Sequence, residues 1–169
     1  MAEMELPAET IDRYVRERAV WPDAAILEEL LALPALADEG DLIWEDDGYW
    51  ESTAYVFVAL CEVAAERKLD GAMRLFLERA AFGDPGEIMR GLRHTLEAIV
   101  EPDWCRLADL CLVTARSARL GTRLWSIDAL VALEDPRARP VFEAAIASGP
   151  AAIASVAEIG LARLSRVGA

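Results

Sequence analysis

The sequence predicts an all-α fold built as a stack of helix pairs, and three observations carry that expectation. The chain is 54% hydrophobic and 28% charged, with alanine and leucine dominant and β-branched runs scarce, a composition that favours helix over strand. Its apolar residues recur at helical spacing between turns marked by proline and glycine. Finally, Ala129-Leu130-Val131-Ala132-Leu133 matches Gly160-Leu161-Ala162-Arg163-Leu164 at a spacing of 31 residues. A period of about 20 to 50 residues with one helix pair per period marks a stacked repeat. At 169 residues, one domain spanning 1–169 is expected.

Residues 8–18 read as a short helix with Thr10 as N-cap and Ile11, Tyr14 and Val15 as its apolar stripe. Trp21-Pro22-Asp23 ends it and opens a second helix from Ala24 to Leu36, with Ile26, Leu27, Leu30, Leu31 and Leu33 inward. Pro34 should break that helix near its end. Residues 37–50 carry turn signals at Gly40 and Asp47-Gly48 and do not fit a helix. Helix is expected again from about Glu51 to Arg67, from Ala72 to Ala81, and from Glu87 to Val100 after the turn Phe82 to Gly86. It resumes from Asp103 to about Ala118, and closes with three segments from Gly121 to Leu164 separated by an Asp-Pro and a Gly-Pro turn.

Alternate helices align. Ala59-Leu60, Leu96, Ala129-Leu130 and Gly160-Leu161 take one position at spacings of 36, 34 and 31, and Glu101-Pro102-Asp103 falls where Glu134-Asp135-Pro136 does. Four helix pairs result: 23–36 with 50–67, 71–81 with 85–100, 103–117 with 121–134, and 137–148 with 150–166. Residues 8–18 are left as an N-terminal capping helix.

Gly121-Thr122-Arg123-Leu124, Ala129-Leu130, Leu133 and Glu134-Asp135-Pro136-Arg137-Ala138 carry a resemblance to the HEAT-repeat superfamily, in particular its short phycobilin-lyase-type repeats. They look like that family's second-helix arginine–alanine–leucine pattern followed by an Asp-Pro turn. Asp84-Pro85 through Arg90 resembles the same signature one unit earlier. The pattern departs at Thr53 and Ala154, which stand at the arginine position, and at Arg90, which is out of register by one. The resemblance implies a right-handed α-solenoid of about four HEAT-like helix pairs with the second helices lining a concave face. It implies little about activity, because such folds host scaffolds, inhibitors, lyases and DNA-repair enzymes.

Charge is distributed unevenly. The net charge is −13; residues 1–70 hold 18 acids and 5 bases, whereas residues 71–169 hold 12 of each. Between Arg18 and Arg67 lie 12 acids and no base. A field of one sign steers basic partners and repels nucleic acid and anionic membrane, so neither of the latter is expected to bind. No segment reads as a signal peptide or a membrane span, which makes a cytoplasmic location the expectation. Cys61, Cys105 and Cys111 each lie in an apolar helical pattern and read as buried free thiols, and Trp104 and Trp125 read as core.

The stretch 38–51 holds seven acids (Asp38, Glu39, Asp41, Glu45, Asp46, Asp47, Glu51) around Trp44, Tyr49 and Trp50. Against the repeat it is an acidic aromatic insertion loop, 38–50, of roughly ten residues inside the first helix pair. Two readings stand side by side. In one, Trp44, Tyr49 and Trp50 anchor a basic partner whose cations meet Asp41, Glu45, Asp46, Asp47 and Glu51. In the other, the tryptophans fold back as a lid on the core while the acids stay solvated. The carboxylates lack the ligand spacing of a calcium loop, so no metal is expected, and no motif asks for a cofactor.

His94, the only histidine, stands at helical neighbour spacing from Arg90 and Glu97. No nucleophile motif accompanies it, so no catalytic residue is assigned. The arginines of the C-terminal half are balanced by acids, as expected for inter-helix ion pairs. The leading expectation is a non-enzymatic protein-binding module, an immunity or inhibitor protein that neutralises a basic partner such as a toxin domain. One alternative is a lyase-like or small-ligand protein using a groove with Glu62, Arg93, His94, Glu97, Trp125 and Asp128; another is a general scaffold or adaptor.

Overall fold

A computed structural model of the chain describes residues 8–41 and 45–167. Among them every regular element is helical. The elements are α1 (Ala8–Arg18), α2 (Asp23–Ala32), α3 (Asp47–Tyr49), α4 (Tyr55–Glu66), α5 (Ala72–Arg79), α6 (Leu92–Val100), α7 (Trp104–Thr114), α8 (Leu120–Leu133), α9 (Arg139–Ser148) and α10 (Ala151–Val167). The chain folds as two compact units, Met1–Glu101 and Pro102–Ala169.

In the first unit α1 packs on α4, α4 on α6, and α2 on α5 and α4. α4 is buried along most of its length, so its apolar residues show little helical contrast. Phe57 on α4 meets Phe76 on α5 edge to face, with ring centroids 5.5 Å apart, and Ile26, Leu30, Leu60 and Leu77 are fully buried as well. α2 ends where Pro34 requires. Leu33 is already extended, because the residue before proline is pushed out of the helical region. Leu31, expected inward, is 63% exposed.

Two helix starts differ from expectation. α6 begins at Leu92 rather than Glu87, because Gly86 and Glu87 both adopt left-handed backbone (φ 56° and 62°) in the Pro85–Gly91 segment. Asp84 accepts a hydrogen bond from the Met89 N–H at 2.7 Å across that turn. In the other direction, helix begins earlier than Glu51. α3 continues through a π turn, Trp50–Ala54, into α4.

In the second unit α7 packs on α8, and α10 packs on both α8 and α9. Asp135 caps the turn before α9, accepting the Arg137 N–H at 2.8 Å with Pro136 in the first turn, where a missing N–H costs nothing. Thr114 and Ser126, both buried, lie hydroxyl to hydroxyl at 2.7 Å and join α7 to α8. Most of the repeat-aligned positions are core positions: Ala59, Leu60, Leu96, Ala129, Leu130 and Gly160 are buried, while Leu161 is half-buried. Cys61 and Cys111 are buried as expected, but Cys105 is exposed and Trp104 is 41% exposed. Both lie in the first turn of α7, whose buried stripe starts only at Leu107.

Gly160 is where α10 approaches α9. A Cβ there would lie 2.6 Å from Cε2 and Cζ of Phe142, a fully buried ring. Gly160→Ala should therefore destabilise the protein by about 1–2 kcal/mol in denaturant titration, overpacking outweighing the helix-propensity gain. In a Phe142→Leu background the same change should become neutral or stabilising.

Burial pushes the Cys111 thiol up to about 12 and raises Cys61 as well, with the Thr95 contact acting the other way. A thiol reagent should thus modify Cys105 alone in the native protein and all three cysteines after unfolding. The pH dependence follows in sign. Below the ordinary thiol value of 9.0 the burial is fully tolerated. As pH rises above that value, unfolded thiols ionise while the folded ones stay protonated, so stability should fall. Cys111→Ala should flatten that decline.

Candidate functional site

The acidic turn of the first unit is held at both stems. On its N-terminal side the backbone runs beside the exit of α5: Leu36 N–H donates to the Arg79 carbonyl at 2.9 Å and Glu39 N–H to the Phe82 carbonyl at 3.1 Å. The Asp38 carboxylate accepts the Phe82 N–H at 2.7 Å. Gly83 sits at φ +100°, and a Cβ there would collide with the Glu39 side chain, 2.6 Å from Oε2. Glycine is needed at that position on both counts.

On the C-terminal side, Asp46 caps α3 by accepting the Tyr49 N–H at 3.1 Å. The Tyr49 hydroxyl accepts the Ala37 N–H at 3.1 Å and so ties the two stems together. Burial, which dominates, holds the Tyr49 phenol above its ordinary value, the Ala37 hydrogen bond acts against it, and Asp38 adds to the rise. Its ring stands edge-on to Trp50, centroids 5.4 Å apart.

These contacts sort the expected site residues. Trp44 lies outside the described residues. Trp50 is 2% exposed and packs beside Tyr55, so the fold uses it as core, as in the lid reading, and it offers no surface to a partner. Tyr49 is half-buried and its hydroxyl is engaged. Asp41, Glu45, Asp46, Asp47 and Glu51 are all exposed. Among the described residues no arginine or lysine pairs with any of the five.

The missing counter-charges are explained by arginines that sequence reasoning did not single out. Arg18 is buried, and its Nε and Nη2 donate to the two carboxylate oxygens of Glu29 at 2.6 Å each. Arg67 donates to the carbonyls of Ala19 and Trp21, both at 2.7 Å, and to Asp23 at 2.9 Å. Arg79 donates to the carbonyls of Leu33, at 2.9 Å, and Leu31. The first unit holds 23 acids and nine bases, and three of those bases are engaged in joining helix ends.

The expected groove residues divide between the units. On α6, Arg93 and Glu97 approach to 3.6 Å and His94 Nδ1 lies 3.5 Å from Glu97. The His94 side chain is 73% exposed, so no enclosed site surrounds it. Glu62 faces α1 instead: partial burial, then the charge of Asp12, holds its carboxyl above the usual range. No hydrogen bond or ion pair joins Glu62 to that cluster among the described residues. Trp125 and Asp128 are half-buried on α8 of the second unit.

In the second unit, Arg137 pairs with Asp135 at 2.6 Å and with Asp109 at 2.7 Å, which holds Asp135 below the usual carboxylate range. Arg116 and Arg123, by contrast, pair with no carboxylate among the described residues. Among those residues no group of three or more His, Cys, Asp or Glu is placed to hold a metal ion, and no helix among them is long and apolar enough to cross a membrane.

Comparison with protein-family models, curated proteins and solved structures returns no match.

Tyr49→Phe removes the acceptor for the Ala37 N–H and should cost about 1 kcal/mol, the usual penalty for orphaning a partly buried donor. Amide exchange at Ala37 should accelerate while exchange in α8 stays unchanged. Equal exchange at Ala37 in both proteins would show that Tyr49 does not hold the stems.

Proposed function

We propose that this chain is a non-enzymatic protein-binding module that docks a basic partner on the acidic face formed by Asp41, Glu45, Asp46, Asp47 and Glu51. The observation that carries the reading is the combination of exposure and absent pairing. All five residues are exposed, with Asp46 also capping α3, while Arg18, Arg67 and Arg79 are engaged within the unit. Such a face raises the encounter rate with a cationic protein and repels phosphate backbones. A pinned turn also gives up less conformational freedom on binding than a slack one.

An immunity or inhibitor role against a basic toxin domain is the use we propose for this small, acidic chain. The three free thiols support a reducing, cytoplasmic setting. The architecture we propose is a HEAT-like solenoid of four pairs capped by α1. Within the first unit it is supported by the packing of second helix on second helix, α4 on α6, and of first on first, α2 on α5; within the second unit, by α8 on α10.

The test uses a partner captured from native cells and the variant Asp41→Asn/Glu45→Gln/Asp47→Asn/Glu51→Gln, which spares the capping Asp46. Affinity should fall about tenfold or more, mostly through the association rate, and its salt dependence should flatten. A folded variant that binds the same partner with unchanged affinity and salt dependence would remove this face from the function.

A further inference from the structure

The second unit contains a cavity of about 370 Å³ bounded by the end of α7, α8, α9 and the start of α10. That volume lies within the range of small-molecule sites, roughly 300 to 1,000 Å³. Its apolar walls include Ile127, Val141 and Ile153, each buried, and Ala144 on the exposed side of α9. Its charged lining is Arg116, which is exposed, and Arg123, which is half-buried; no acid lines it.

Two observations bear on these arginines, the first on both and the second on Arg123 alone. Neither meets a carboxylate among the described residues, although Arg137 in the same unit is paired twice. The Arg123 Nε is also shielded from solvent with no hydrogen-bond partner. A cation whose guanidinium is partly desolvated and uncompensated raises the energy of the empty site, and a bound anion offsets that cost. Apolar walls beside it set the rest of the ligand's chemistry.

We infer that this cavity binds a small amphipathic anion, an aliphatic chain ended by a carboxylate, with the carboxylate against Arg116 and Arg123 and the chain against Ile127, Val141 and Ile153. The site is separate from the acidic face of the first unit and does not depend on the role proposed for it.

The experiment titrates the full-length chain with sodium octanoate and follows backbone amide resonances, with 1-octanol and octylamine as length-matched controls. Octanoate should give saturable shifts centred on α8, α9 and the start of α10, and neither control should. Arg116→Gln/Arg123→Gln should weaken octanoate about tenfold or more, as loss of a charge-assisted contact does. Ala144→Phe, which fills the cavity from an exposed position, should abolish the shifts while the spectrum stays dispersed. The inference is overturned if octanol binds as well as octanoate, if the arginine variant keeps full affinity, or if no saturable shift occurs.

Discussion

The surface of the first unit depends on what its arginines do inside it. A helix ends with carbonyls that have no partner of their own, and here the missing donors arrive from distant side chains. Arg67 reaches back from the end of α4 to the Ala19 and Trp21 carbonyls in the turn that follows α1, and Arg79 from the end of α5 to the Leu31 and Leu33 carbonyls at the end of α2. Arg18 grips Glu29 with two parallel bonds while its guanidinium lies over the rings of Tyr14 and Trp21, 5.1 and 5.3 Å from their centroids. These are strong arrangements because donor planarity and charge act together. With these arginines counted, the unit carries a net charge of −14, and the second unit, with seven acids and eight bases, carries +1.

Helix was legible in the sequence wherever turn chemistry was unambiguous. The Asp-Pro turn at 135–136, the stop before Pro34, and the buried small-large pairs at Ala59-Leu60 and Ala129-Leu130 all follow from local rules. The errors have physical causes too. Glu87 carries left-handed backbone, which a non-glycine residue seldom adopts and which no periodicity reveals. Trp104 and Cys105 fit an apolar stripe in sequence, yet a stripe says nothing about how far a neighbouring helix extends to cover it.

The candidate site was half legible. Its acids were evident from composition, and their exposure is what solvation of carboxylates demands. Which aromatics would be buried was not evident, since Tyr49 and Trp50 are adjacent in sequence and differ only in which way the helix turns them. Arg116 and Arg123 looked like members of a balanced set of ion pairs. Their separation from any acid is a matter of tertiary placement, to which a charge count is blind.

The π turn at Trp50–Ala54 has a consequence of its own. It places one extra residue in what is otherwise a continuous helix, closing with the Tyr55 N–H on the Trp50 carbonyl. Each residue added to a helix rotates what precedes it by about 100°. The extra residue therefore sets the bearing of Asp47, Gly48 and Tyr49 relative to the core face of α4. A single-codon deletion within 50–54 would restore ordinary helical phasing but swing Tyr49 away from Ala37 and displace the buried Trp50 with it. In evolutionary terms, the bearing of the acidic turn is locked to the core, because the residues that set it include the buried Trp50, Thr53 and Ala54.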